Sequence, residues 1–344
     1  MKSSGGRIIP GDYDGDGDID LFVTGRQKPG NYPLPGRSYL LRNDGNKYTD
    51  ITETLAPSLA RIGMVTDAAW TDVDGDGKTD LALTGEWMPL TIAYNRSDGF
   101  EIQTVKGTDG WWFALRAEDV DGDGDEDLIA GNLGLNYKYQ ASQEEPFEIY
   151  ADDFDGNGKL DIVLGYYNSG ERYPLRGRQC SSEQIPDLKK KFPTYDDFGK
   201  ATLDQVYGPA LENATHYVAK TFATTLFINE GGKFTAHPLP NEAQLSSVND
   251  ILAEDFDGDG KLDLLMAGNL FVSEPETPRN DAGMGIFLKG DGKGGFTWVP
   301  LPESGFFAGG DVRHLVRYQL ASGQDAVLVA NNNHLVQLFT RKKD

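Results

Sequence analysis

Five nine-residue stretches carry an oxygen-bearing side chain at positions one, three, five and nine, and glycine at positions four and six. They are DYDGDGDID from Asp12, DVDGDGKTD from Asp72, DVDGDGDED from Asp119, DFDGNGKLD from Asp153 and DFDGDGKLD from Asp255. Side chains at such spacing converge on one point only if the backbone curls tightly, and the two glycines permit the positive φ that a curl requires. Converging carboxylates suit a hard divalent cation. Calcium takes six to eight oxygens at ~2.3–2.6 Å in a tolerant geometry that mixes carboxylates with carbonyls. No histidine or cysteine lies within the loops, which argues against zinc or copper.

On this reading the first loop uses the side chains of Asp12, Asp14, Asp16 and Asp20 with the carbonyl of Asp18. The second uses Asp72, Asp74, Asp76 and Asp80 with the carbonyl of Lys78, and the third Asp119, Asp121, Asp123 and Asp127 with that of Asp125. The fourth uses Asp153, Asp155, Asn157 and Asp161 with that of Lys159, and the fifth Asp255, Asp257, Asp259 and Asp263 with that of Lys261. About five calcium ions are expected, bound less tightly at the fourth loop, where Asn157 replaces a charge. Asp-Gly stretches also form ordinary turns. Five copies that share the ninth-position aspartate outweigh that reading.

The elements around the loops are short. Each loop follows an apolar segment such as RIIPG or NDILAE and precedes another such as LFVTG or LLMAGN. Apolar runs of about five residues that end at Gly or Asn read as strands. After three of the loops come two further strand-like pieces, SYLLRND with NKYTDIT, LTIAYNR with GFEIQTV, and GIFLKGD with GFTWVPL. Strand, loop, strand, strand, strand makes a four-stranded antiparallel unit, and such units repeated around an axis make a β-propeller.

The fold class expected is therefore all-β: one propeller domain over residues 1–344, with about six to seven four-stranded blades. Loop starts are 60, 47, 34 and 102 residues apart, so the units are uneven. The third unit reads as truncated. The fourth reads as interrupted by a partly helical insertion at 170–215, with Ser181 and Gln184 in capping-box spacing, and as resumed by YVAKTFATTLFINEG and KFTAHPL. A degenerate last unit, 306–344, keeps only Asp311 of the loop, with Arg313 and Leu315 at the next ligand positions, and should bind no calcium.

Composition agrees with many short elements: 42 of 344 residues are glycine and 17 are proline. The formal net charge of −22 repels phosphate backbones and anionic lipid, so nucleic acid and direct membrane insertion are excluded as partner classes. Cys180 is the sole cysteine, so no intramolecular disulfide forms, and bound metal is the natural staple for such a chain. The first residues, MKSSGGRIIPG, contain no signal peptide, and the chain is expected to be a piece of a larger multidomain protein.

The Asp-x-Asp-Gly-Asp-Gly-x-x-Asp loop followed by an apolar strand, recurring from Asp12 to Asp263, resembles the FG-GAP/VCBS repeat of integrin α-subunit propellers and of bacterial cell-surface proteins, including those with an ASPIC/UnbV region. The resemblance implies a calcium-binding propeller in an extracytoplasmic compartment (secreted, periplasmic or cell-surface) with a role in cell adhesion or ligand display. The Phe-Gly and Gly-Ala-Pro signatures of integrins are poorly kept.

No catalytic residue is assigned. His216, His237, His314 and His334 are scattered, and no Gly-x-Ser-x-Gly elbow occurs. The expected function is a non-catalytic binding or adhesion module for a protein or glycan on one loop face, with structural calcium. The alternative is a carbohydrate-active enzyme, a calcium-assisted polysaccharide lyase. Candidate ligand contacts are the loop-end aromatics Trp87, Trp111, Trp112, Tyr137, Tyr139, Tyr166 and Tyr173 with Arg176, because aromatic faces suit sugar stacking. Trp70 and Trp298 are expected to pack between blades.

Overall fold

The structure is a computed structural model and describes residues 4–45, 47–273 and 277–341. It is all-β, with few helices, and its described strands pair antiparallel apart from one isolated parallel bridge between Gly110 and Thr221. The first sheet runs in chain order through β1 (Ser4–Gly11), β2 (Asp20–Gln27), β3 (Tyr39–Asn43) and β4 (Tyr48–Asp50). The second contains β5 (Met64–Thr71), β6 (Asp80–Met88), β7 (Thr91–Arg96) and β8 (Gly99–Thr104), with β9 (Gly110–Trp111) paired to β6.

The third sheet opens with β10 (Ala114–Glu118) and β11 (Asp127–Gly131), and then the chain leaves it. It builds a separate sheet from β12 (Phe147–Asp152), β13 (Asp161–Asn168), β14 (Glu171–Pro174) and β15 (Thr215–Ala219), in the order β14-β13-β12-β15. It then returns with β16 (Thr225–Asn229) and β17 (Phe234–Pro238), which complete the third sheet as β10-β11-β16-β17. A fifth sheet holds β18 (Asp250–Glu254), β19 (Asp263–Ala267), β20 (Ile286–Gly290) and β21 (Phe296–Val299), and a sixth holds β22 (Val312–Gln319), β23 (Asp325–Asn331) and β24 (Gln337–Thr340).

This order corrects the expected fourth unit. TLFIN and FTAHP belong to the third sheet, which is interrupted rather than truncated, because Leu128 pairs with Phe227 and Ala130 with Thr225. The whole of 132–224, fourth acidic loop included, is nested between two neighbouring strands. Helices do occupy much of 170–215: Arg178–Gln184, Leu188–Lys191, Tyr195–Gly199 and Leu203–Tyr207. The capping box is formed by Thr202 and Gln205, whereas Ser181 lies inside its helix. Gln184 instead serves as an artificial strand neighbour, accepting from the Ile162 N–H at 2.9 Å and donating to the Ile162 carbonyl at 3.0 Å.

The first strands of five sheets lie side by side in chain order, β1 on β5, β5 on β10, β10 on β18 and β18 on β22. Each sheet between two others buries both faces, so β6, β11 and β19 are buried throughout, and β11 and β19 are apolar after their opening aspartate. Separate cores fill the gaps: Phe22, Leu40 and Leu83 between the first two sheets, Ile92, Trp112 and Phe227 in the next, Ile129, Ile251 and Leu288 in the next, and Leu265, Leu315 and Val329 before the last. Each such buried side chain contributes ~1.5–3 kcal/mol of transfer free energy. Trp70 packs between the first two sheets, stacked on Tyr13 at 6.4 Å, but Trp298 is 38% exposed because β21 is an outer strand.

The last unit also differs from expectation. Asp311 precedes β22, so it stands at the opposite end of the first strand from the acidic loops. The position homologous to a ninth-position aspartate is Asp325, which opens β23 after a link of only 320–324. That link is too short to form the nine-residue curl.

Candidate metal centres and the axial charge cluster

In each acidic loop the first aspartate organises the curl before any metal is considered. Asp12 accepts hydrogen bonds from the Gly15 N–H at 2.8 Å and the Gly17 N–H at 2.9 Å. Asp72, Asp119, Asp153 and Asp255 accept in the same way from Gly77, Gly124, Gly158 and Gly260 at 2.7–3.1 Å. The curl needs φ of +74° at Gly15 and +90° at Gly17, which a side chain at either position would strain. The fifth-position side chain accepts from the N–H of position seven, as Asp16 does from Asp18 at 2.8 Å and Asn157 from Lys159 at 2.9 Å.

The ninth aspartate has a second role that spacing alone does not reveal. Asp20, Asp80, Asp127 and Asp263 are 0% exposed. One oxygen of each accepts from the N–H of loop position two at 3.1–3.2 Å. The other accepts from the third strand, at Asn43, Asn95, Asn229 and Gly290, at 2.7–3.0 Å. This residue rivets loop to sheet. Burial pushes Asp80 and Asp127 up to about 6, with the hydrogen bonds opposing it, and raises Asp20, Asp161 and Asp263 in the same direction.

The carboxylates meet as the spacing requires. In the first four loops, one oxygen each from positions one, three and nine lie within 4.8 Å of one another, and in the fifth loop one each from Asp255, Asp257 and Asp259 do so. Opposed ligands on a calcium sphere of ~2.4 Å radius are ~4.8 Å apart, so these oxygens fit around one ion. In the second loop, Asp74 Oδ1 is buried with no hydrogen-bond partner. Two loops carry a basic neighbour. Arg96 reaches Asp74 at 2.6 Å and Asp76 at 3.0 Å, while Lys289 pairs with Asp257 and lies 3.0 Å from Asp259.

A second constellation lies where side chains of the first strands meet. Arg7 of β1 approaches Asp67 of β5 at 3.5 Å and Asp250 of β18 at 3.0 Å. Arg116 of β10 approaches Asp67 at 3.2 Å and also pairs with Asp250, and His314 of β22 pairs with Asp250. Each of the five strands supplies one member. Burial raises Asp67 despite Arg7 and Arg116. At Asp250 burial is outweighed by the His314 hydrogen bond and the charges of Arg116 and Arg7, which hold its carboxyl down at about 2. A sequence signal existed: Arg7, Asp67 and Asp250 each stand five residues before a loop's first aspartate, charged residues inside apolar segments.

The aromatic candidates do not form an open stacking surface. Trp87, Trp112 and Tyr139 are buried, and Trp111, Tyr137, Tyr166, Tyr173 and Arg176 are half-buried. Trp87 stacks on Phe147 at 5.6 Å and Tyr139 on Phe147 at 4.6 Å, with Trp111 edge-on to Trp87 at 5.2 Å. Phe147 opens the first strand of the nested sheet. These rings glue that sheet to the rest, and only the nesting, invisible in local sequence, explains their burial. Trp112 packs on Phe227 and donates to the Thr108 carbonyl at 2.9 Å.

The fold and these loops define an all-β repeat protein whose units share an acidic turn after the first strand. Residues 12–83 and 72–130 match the family model of the FG-GAP-like repeat, so this part of the chain carries FG-GAP-like repeats. No curated protein matches it significantly. Among solved structures, it is similar to the V. cholerae biofilm matrix protein Bap1, at 14% identity and TM-score 0.34 over 99% of this chain, and it spans about half (53%) of that chain. It is also similar to BBS1N, solved in complex with ARL6DN, at 9% identity and TM-score 0.34 over 98% of this chain and 80% of that one.

Proposed function

We propose that the chain is a non-catalytic binding module of an extracytoplasmic protein, a β-propeller whose acidic loops hold structural calcium. The observation that carries this reading is the fivefold recurrence of three loop carboxylate oxygens within 4.8 Å. Side chains at positions one, three, five and nine, with the position-seven carbonyl, would supply the oxygens. The bound ion supplies charge neutralisation there: five divalent ions would carry the formal net charge from −22 to about −12. Metal at the turn between the first two strands of a sheet locks that hairpin without a disulfide.

The lyase alternative has one group of residues to weigh. On the nested sheet Tyr150 and His216 stack at 4.1 Å, and Arg172 donates to Tyr150 at 3.0 Å and approaches Glu148 at 3.4 Å. Tyr150 is buried, and that burial, with Glu148 beside it, pushes its hydroxyl up to about 12. A general base must be poised near the working pH. Arg172 is also committed to Asp204 at 2.7 Å. This chemistry favours binding over turnover.

Calcium titration by calorimetry, with metal analysis of the dialysed protein, tests the metal. About five ions per chain and a large drop in melting temperature in excess EDTA are expected, and an unchanged melting curve would refute structural calcium. A glycan array paired with an absorbance assay for unsaturated uronate products tests the activity. Binding without product is expected.

A further inference from the structure

Four of the acidic loops follow the C-terminal ends of β1, β5, β10 and β18, so they share one end of the array. At the other end, where these first strands begin, lies a cavity of about 460 Å³. Its lining includes Arg7, Arg26, Thr66, Phe113, Asn249, Leu270 and Arg313, which lie in or beside strands of all five sheets of the array. This volume lies in the range of small-molecule sites, ~300–1,000 Å³.

Three arginines line this cavity in a chain whose formal charge is −22. Arg7 is spent on Asp67 and Asp250. Arg26 bonds one oxygen of Glu86 through Nε, at 2.7 Å, and through Nη2, while Arg313 bonds Asp311 through Nη2 at 2.9 Å. No other described group engages these two side chains, which are 44% and 42% exposed and keep N–H donors for the cavity.

The cavity also has an unmet acceptor. Asn249 is 5% exposed, and its Nδ2 donates to the carbonyls of Asn269 at 2.9 Å and Val312 at 2.8 Å. Those two bonds fix the amide orientation, and Asn249 Oδ1 is left buried with no partner. A matching ligand therefore needs an anionic acceptor pair for the arginines and a hydroxyl donor for Asn249. Sulfate, fully ionised, has no donor to offer. Phe113 and Leu270 supply apolar wall for the C–H face of a ring.

We propose that this axial cavity binds a hydroxylated carboxylate, the chemistry of a uronic acid residue, with Arg26 and Arg313 on the carboxylate and Asn249 Oδ1 accepting from a ring hydroxyl. The inference deepens the binding-module reading and rests on it. Two sources share this chemistry, a free sugar acid and the uronate end of a glycan.

The test is calorimetric titration of the calcium-loaded full chain with D-glucuronate, an oligouronate, D-glucose and sulfate. Both uronates should bind, with glucose and sulfate at least tenfold weaker. Tighter binding of the oligomer assigns a glycan end, equal binding per site a free acid, and either supports the cavity. Arg313→Gln should weaken glucuronate at least tenfold. Because Asp311 relies on that arginine, Val272→Asp is the second variant: Val272 lines the same cavity at 72% exposure, so the change adds a repelling charge and removes no buried contact. It should weaken both uronates without lowering the melting temperature. Absence of glucuronate binding, or affinities unchanged in both variants, would overturn the cavity. In the second case the binding-module reading stands, with its ligand elsewhere, whereas product formation from the oligouronate would overturn the non-catalytic reading and leave the cavity in place.

Discussion

Replacing Asp250 with alanine is expected to cost the fold about 3–5 kcal/mol, the usual range when one partner of a buried ion pair is removed. The carboxylate is 0% exposed and joins four of the first strands. It pairs with Arg7 of β1, Arg116 of β10 and His314 of β22, and it accepts from the Leu315 N–H at 2.8 Å. Without it, Arg7 and Arg116 share Asp67 alone, at 3.5 and 3.2 Å, so two partly buried cations face one buried anion. Asp250→Asn keeps an acceptor but removes the charge, and a loss of roughly 1–3 kcal/mol follows.

The acid limb gives a second reading of the same group. Its carboxyl sits at about 2 in the fold against 3.8 ordinarily, a depression worth roughly 2–2.5 kcal/mol. A depressed acid contributes stability that is fully present above about pH 4 and lost as pH falls through 4 toward 2. Urea unfolding in excess calcium, followed by tryptophan fluorescence, measures both effects. Comparing wild type with Asp250→Asn at each pH cancels protonation of the metal loops, and the gap between them should close toward pH 2. A loss below about 1 kcal/mol at pH 7 for Asp250→Ala, with an unchanged circular dichroism spectrum, would refute a buried charge cluster binding the first strands together.

Three further outcomes follow from the loops. Asp127→Ala strands the Val120 and Asn229 N–H groups, so it should lower stability by about 1–3 kcal/mol even in EDTA, whereas Asp121→Ala should matter only with calcium present; chemical denaturation with and without metal separates them. Lys289→Met removes a cation from Asp257 and Asp259, and calcium titration should show tighter binding at one site, by severalfold. Asp80 and Asp127, held up at about 6, take a proton more readily in the metal-free fold than in the unfolded chain. Their contribution to metal-free stability therefore declines as pH rises from about 4 to 6, while calcium affinity, measured by titration across the same range, should rise.

The acidic loops and their flanking strands could be read from residue types alone, because ligand spacing, glycine placement and strand alternation are all local properties. What failed was non-local. The run from Thr215 to Asn229 reads as one β-forming stretch, yet it divides at 220–224 into strands of two different sheets. Its β-branched and aromatic residues would suit either. The choice is made by pairing of Ile129 with Leu226, 97 residues later, which no window can detect. The ring contacts of Trp87 and Tyr139 fail for the same reason, since Phe147 arrives on the nested sheet. The last unit misled differently. Asp311 mimics a loop start, but the strand begins after it, and only the length of β22 reveals the frame.

The two ends of the array are under different constraints, and this bears on where function resides. At the loop end, four of the turns between first and second strands have a fixed length, because the ninth aspartate must reach the N–H of position two and that of the third strand together. An inserted residue would break both bonds. At the opposite end the links between second and third strands are free to vary, from Pro89 and Leu90 alone between β6 and β7 to residues 132–224 between β11 and β16. Loop-closure entropy grows slowly, by ~0.6 kcal/mol per doubling of length, so even a nested sheet is cheap there once its own core forms. The helices on that sheet bury Ile185, Leu188, Phe198 and Val206, and Trp87, Tyr139 and Phe147 fasten it to the array. New surface can thus accumulate around the axial cavity while the acidic loops, if loaded with calcium, keep the hairpins in register at the far end.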